Sequence, residues 1–421
     1  MLFFCSGFWI HFTGMHYYLG FVVDSNTFRY NYLYALPHHP ILPKIGNTLS
    51  FSCKKEKPML SSKSKEEFSS GDPLANLVLN KLHWPIWILP LLMIIFAAIY
   101  LFLVGGSLGY LRSRSGIVGT LDDPATLLTS FIVQPIIVAY YLWLPSKTWK
   151  MFKTLNNNNV IPTDSGTGLY SSFVSDIART SNNRLTSLIF VGVGIILTIW
   201  IYSIIQQFGT DWSAHLRWPV LIFDIPAAFL TVYAVASIVW RIIIIQTGLD
   251  KLYRKFKINL QPLHQDGAGG LAAVGNLVGS YLYCILVVAL FTIASGTTSY
   301  IEQGYLPIYV IILFIFLPIF TCVVFFLPLR SSHRAMRNNR DEFLENLSNK
   351  FENIKVGFYN NDDLPPKEEL NKIGELIESY SQIRRIYPTW PINTLVLRSF
   401  GATLLGSSLP LLLALFEKFT R

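Results

Sequence analysis

Tyr305-Leu-Pro-Ile-Tyr-Val-Ile-Ile-Leu-Phe-Ile-Phe-Leu-Pro-Ile-Phe-Thr-Cys-Val-Val-Phe-Phe-Leu-Pro-Leu329 is a run of 25 residues without one charged side chain. A hydrocarbon core about 30 Å thick is crossed by roughly 20 apolar residues of helix, so this run can span a bilayer. No water reaches the backbone there, and a segment in lipid must close its own hydrogen bonds as a helix. Five further stretches read the same way: Pro85–Leu103, Thr126–Leu144, Thr186–Ile205, Pro219–Ile245 and Ala272–Ala294. A seventh, Ile392–Phe416, follows near the C-terminus. The expected fold is all-α: a polytopic transmembrane helical bundle of six spans and a seventh.

Composition agrees. Of 421 residues, 52% are hydrophobic and 14% charged, with a mean hydropathy of +0.41. Soluble domains carry about a quarter charged residues. The net charge of +9 suggests nucleic acid until its placement is read. Lys and Arg number three in 59–84, five between spans two and three, four between spans four and five, and ten between spans six and seven. The alternate connections hold two (Arg112, Arg114), one (Arg217) and none. Cationic loops stay on the side of synthesis, so the N-terminus and the long connections are expected in the cytosol. The partner implied is a lipid bilayer, not nucleic acid. Cys5, Cys53, Cys284 and Cys322 form neither a CxxC nor an even-spaced framework, which argues for apolar filling over disulfide or zinc chemistry.

The chain divides by composition into five parts. Residues 1–58 are an extension rich in Phe, Tyr and His, broken by Pro37, Pro40 and Pro43, with no expected regular structure; translation from Met59 is an alternative start. Residues 59–84 form a polar cytosolic segment, and 85–329 the six-span body. In 330–391 two apolar stripes, Phe343, Leu347, Phe351, Ile354 and Leu370, Ile373, Ile377, Tyr380, flank the turn Asn360–Pro366. They predict a cytosolic helical hairpin whose apolar faces need another loop or a second copy of the chain, which favours a homo-oligomer. Residues 392–421 hold the seventh span and a short tail. Leu169, Phe173 and Ile177 share one helical face, predicting a helix resting on the membrane surface or on the bundle.

Ionisable and amide side chains at membrane depth are the first candidates for function, because burying one costs about 2.5–3.5 kcal/mol. Asp224 lies beside Pro226, and Gln134 precedes Pro135. A proline inside a span frees a backbone carbonyl that a neighbour or a cavity must satisfy. Asn276 and Arg398 complete the set expected to line a conduit or polar site. Arg241 and Arg398, near span ends, read as cations reaching for headgroups. Gly275 and Gly279, four apart, predict close helix packing.

The densest local pattern is Pro262-Leu-His-Gln-Asp-Gly-Ala-Gly-Gly270 before the fifth span. His264, Asp266, Gly267, Gly269 and Gly270 suit either a tight turn capped by Asp266 or an amide nest for an anion or lipid headgroup. Two ligands do not make a metal site. Together with Lys251-Leu-Tyr-Arg-Lys-Phe256 and Tyr387-Pro-Thr-Trp-Pro391, this pattern resembles uncharacterised bacterial multi-pass membrane proteins. Their motif reads His-Pro-Asp-Gly-x-Gly-Gly before a span, and here Gln265 stands where it has proline. The resemblance implies a bacterial inner membrane and carries no activity.

Ser165-Gly-Thr-Gly168 lacks the lysine of a P-loop, and neither HExxH nor GxGxxG occurs. No catalytic residue, cofactor or metal is assigned, and an enzyme is not the expectation. The reading is a channel or transporter-like oligomer. The alternatives are a membrane-anchored signalling or assembly scaffold working through its cytosolic loops, and a membrane enzyme acting at headgroup level through His264 and Asp266.

Overall fold

The computed structural model describes residues 8–12, 15–19, 62–114, 117–161, 167–208, 220–262, 264–303, 308–359, 367–392, 396–406 and 408. The chain separates into two units, Met1–Glu56 and Lys57–Arg421. In the first, strands β1 (Phe8–Phe12) and β2 (Met15–Leu19) pair antiparallel, Phe8 opposite Leu19 and Phe12 opposite Met15.

The second unit is a helical bundle. Its helices are α1 (Ser62–Ser70), α2 (Pro73–Ala75, widening into a π-helical Asn76–Lys81), α3 (Ile88–Ser107) and α4 (Pro124–Asn157). There follow α5 (Thr167–Ser181), α6 (Arg184–Phe208), α7 (Ile222–Lys255) and α8 (Ala272–Gln303). Last come α9 (Ile308–Tyr359), α10 (Lys367–Ile386) and the short apolar α11 (Val396–Gly406). Six of these elements are long and apolar enough to cross a membrane, and the protein is a multi-pass membrane protein. The rest of the seventh apolar stretch, and the turn expected at Asn360–Pro366, lie outside the described residues.

Helices α4, α7 and α8 form the centre. Helix α4 packs on α1, α3, α7 and α8, and α8 packs also on α9. Tyr141, Leu144, Phe152, Leu249, Leu277, Tyr281 and Phe325 are fully enclosed in one apolar cluster. Helix α6 is peripheral: 17% of the third span is buried, against 56% of the fifth. Its Leu188, Ile196 and Trp200, with Ile312 and Ile319 of α9, face outward, an arrangement that hydrocarbon solvates and water does not.

Helix α9 is continuous for 52 residues, roughly 78 Å, although it contains Pro318 and Pro328. The span and the first arm of the hairpin are thus one rod. Phe343 meets Tyr387, while Leu347 and Phe351 share a groove with Ile377 and Tyr380, so α10 runs back antiparallel along α9. Helix α5 rests on the bundle, its Phe173, Val174 and Ile177 buried between α1 and α7.

The sequence reading of Arg241 is corrected here. Arg241 does not reach for headgroups; it is 3% exposed and its Nη2 donates to Asp72 Oδ2 at 2.7 Å. The same nitrogen donates to Asn182 Oδ1 at 3.1 Å, and Nη1 donates to the Tyr141 carbonyl at 2.9 Å. The guanidinium also lies over the Tyr141 ring, 4.8 Å from its centroid. Asp72 Oδ1 accepts from the hydroxyls of Tyr141 (2.6 Å) and Tyr233 (2.9 Å) and from the amides of Leu74 and Ala75. Asn182 Nδ2 donates to the carbonyls of Phe68 and Ala178. Gly71 makes the approach feasible, since a Cβ there would lie 1.7 Å from the Asn182 carbonyl oxygen. The described part of that polar segment, 62–84, is therefore built into the core, with Phe68, Ala75 and Val78 buried beside Asp72.

Removing one member of such a pair strands a buried charge, which costs about 3–5 kcal/mol, whereas replacing both with matched neutral groups costs far less. Asp72→Asn is expected to lower unfolding stability in detergent by about 3–5 kcal/mol, and the double variant Asp72→Asn/Arg241→Met to recover most of that loss. A single variant as stable as wild type would contradict the assignment.

Candidate functional site

The site begins with two prolines. Pro135 and Pro226 lack an N–H and crowd the carbonyl four residues back. In each case the turn just before the proline is π-helical: Thr129–Val133 in α4 and Val220–Asp224 leading into α7. Widening the turn accommodates the missing bond, and such turns are frequent at functional sites. A third π-helical segment, Ile99–Val104, lies in α3. These three segments surround one cavity of about 250 Å³ between α3, α4 and α7.

Each segment, or the residue next to it, delivers a polar group to that cavity: Tyr100 from α3, Ser130 and Gln134 from α4, and Asp224 from α7. The walls are apolar, formed by Leu92, Met93, Phe96, Phe223, Ala227 and Leu230 among others. Tyr100 is 4% exposed and its hydroxyl donates to Asp224 Oδ2 at 2.7 Å. Phe223 stacks on the Tyr100 ring (centroids 4.7 Å, planes 12° apart) and fixes its direction. The Ser130 hydroxyl and the Gln134 amide have no hydrogen-bond partner among the described residues. The cavity thus offers a carboxylate held by a phenol, an amide able to donate and accept, and a hydroxyl, all in an apolar chamber. That set can hold a proton or a small cationic group.

Of the four residues expected to line a polar site, the structure brings Gln134 and Asp224 together and leaves the others elsewhere. Asn276 is exposed near the start of α8, and Arg398 is exposed on α11. Neither lines the cavity. Tyr100, not foreseen from sequence, is the third member. Asp224 and Arg241 stand 17 residues apart on α7, about 25 Å, so the cavity and the Asp72–Arg241 cluster are separate.

The His264–Gly270 turn lies at the opposite, basic end of the bundle, the end that carries Lys251–Lys257. Gly267, Gly269 and Gly270 all have positive φ (66°, 63° and 96°), which glycine adopts without strain. Asp266 Oδ1 accepts from the amides of Ala268 (2.9 Å) and Gly270 (3.0 Å), and Oδ2 from Ala272 (3.1 Å). Its own carboxylate fills the amide nest, so those three donors are engaged. His264 Nδ1 lies 2.9 Å from Asp266 Oδ1, donating when protonated. Burial pushes the Asp266 pKa up, but the amides of Gly270, Ala268 and Ala272 and the His264 contact outweigh it, and the carboxyl titrates below its usual 3.8.

The turn meets the second sequence motif. A Cβ at Gly269 would lie 3.5 Å from Pro388 Cγ, His333 stacks on Trp390 at 4.1 Å, and Asn339 joins the Ile258 carbonyl to the Tyr387 hydroxyl. Gly275 abuts the Pro391 carbonyl, where a Cβ would lie 2.0 Å away, and Gly279 faces Val396. Both small residues admit the chain that enters α11. Among the described residues no three His, Cys, Asp or Glu side chains converge as metal ligands.

No protein-family model, no curated protein and no solved structure matches the chain. The likeness carried by the Lys251, His264 and Tyr387 motifs rests on those residues alone.

Because the folded pKa of Asp266 is depressed, its stabilisation is complete above about pH 4 and is lost as pH falls through the folded value. Asp266→Ala is expected to cost about 1–2 kcal/mol at pH 7, with the difference from wild type vanishing at strongly acid pH. Thermal unfolding of both proteins from pH 7 to 3 checks this; a gap that widens on acidification would contradict it.

Proposed function

We propose that the protein is a transporter-like membrane protein whose binding site is the cavity at Asp224. One observation carries the reading: a carboxylate, a phenol, an amide and a hydroxyl converge in an apolar chamber at the level of three π-helical segments. An intramembrane carboxylate kept at that cost marks an ion or proton pathway in general. A chamber of about 250 Å³ suits a proton or a small cation bearing a short apolar body. The cation excess in alternate loops supports a cytosolic N-terminus, and with it a cavity in the half of the bilayer away from the cytosol. A bacterial inner membrane fits the motif resemblance.

Flux into proteoliposomes tests the proposal. Wild-type protein is expected to carry protons or small organic cations above the rate of empty vesicles. Asp224→Asn is expected to lose about ten- to a hundredfold, the worth of one charged hydrogen bond, and Tyr100→Phe less. Wild-type flux no greater than that of empty vesicles across protons, alkali cations and small amines would remove the reading.

A second reading, an assembly scaffold, draws on the hairpin. Phe343 is 41% and Ile377 56% exposed, well beyond the apolar part of α9. That reading requires Phe343→Ser/Ile377→Ser to abolish self-association while leaving flux unchanged, which light scattering and the same vesicles would measure.

A further inference from the structure

We infer a second binding site at the basic end, a cleft that holds the headgroup of an anionic glycerophospholipid. It does not depend on the cavity at Asp224. The cleft, of about 520 Å³, lies between α5 and the last three turns of α7. Its α7 wall is a single stripe: Ile244, then Thr247 and Gly248, then Lys251, then Arg254 and Lys255, at spacings of three and four residues. The stripe begins where the apolar run Ile242–Ile245 ends and climbs roughly 16 Å to Lys255. On α7 its lower part is apolar at Ile244 and its upper part is cationic; across from it, Ile177 of α5 lies at Gly248 and Phe173 packs on Phe256. Such a gradient matches a phospholipid, with acyl chain below and phosphate above.

Gly248 sets the shape of the cleft. A Cβ there would lie 2.7 Å from Ile177 Cδ1, so α5 and α7 touch at that point. The charges above are available. Lys251 and Lys255 form no ion pair among the described residues, and both are exposed. Arg254 pairs with Asp250 at 2.8 Å, with its side chain 75% exposed. One acid, Asp176 of α5, lies across the cleft and opposes an anion. Three cations on the facing wall outnumber it. Basic pockets between helices on the cytoplasmic side of a membrane bind lipid headgroups in this way, each Lys or Arg contributing about fivefold.

Native mass spectrometry of the full chain in detergent, titrated with dioleoyl phosphatidylglycerol or dioleoyl phosphatidylcholine, tests the site. The expected result is retention of phosphatidylglycerol over phosphatidylcholine. Lys251→Gln/Lys255→Gln is expected to weaken that retention about 25-fold, fivefold for each charge, with the unfolding temperature unchanged. Asp176→Asn moves the other way and tightens it. Equal retention of the two lipids, no effect of the lysine pair, or a loss of binding in Asp176→Asn would overturn the inference. Displacement of phosphatidylglycerol by millimolar inorganic phosphate would overturn it too, by showing a site for a soluble anion.

Discussion

A guanidinium taken out of water must find a partner for its charge and for its donors, and Arg241 finds them on segments that are otherwise far apart in the chain. Asp72 supplies the counter-charge from 169 residues away, Tyr141 a carbonyl and a ring face, and Asn182 an amide oxygen. The carboxylate has the matching demand, which two tyrosines and two backbone amides meet. Fully satisfied, the cluster fixes α2, α4, α7 and the α5–α6 link relative to one another. Partly satisfied, it would be worse than an apolar core.

The two ends of the bundle are built differently as a result. At the basic end, the Asp72–Arg241 cluster, the Asp266 nest and the packing of the Tyr387–Pro391 segment beside Gly269 and Gly275 tie loops to helices through short, directional contacts. Toward the other end, α3, α4 and α7 each pass through a widened turn, and a cavity opens between them. Polar groups at the first end are spent on one another. At the second, Gln134 and Ser130 are left for something else.

How much of this is legible in the letters differs by interaction. Six spans are readable because lipid imposes a length and excludes charge over a continuous window, and the helices occur where that window lies. Asp224 and Gln134 stand out for the same reason, each polar beside a proline in an apolar run, and they share a cavity. Tyr100 does not stand out, since a tyrosine in a span reads as an ordinary aromatic until its hydroxyl is seen to point at a carboxylate. Asp72 was hidden by its neighbourhood: Ser, Lys and Glu just before it suggest a solvated leader. The sole local hint is Asp72-Pro73, a helix start whose aspartate also serves a distant arginine. Arg241 misled because position along one helix says nothing of what an unconnected segment brings to it. Asn276 does not join that cavity for a related reason: a polar side chain at helical spacing can face outward as readily as inward, and it is exposed.

The most direct test of the clamp is hydrogen–deuterium exchange on the intact protein and on Asp72→Asn in detergent. Loss of protection is expected in residues 62–82 and around 178–185, with α8 and the apolar half of α9 unchanged. Identical exchange in both proteins, or protection lost evenly along the whole chain, would contradict a local ion pair that fastens these segments to the bundle.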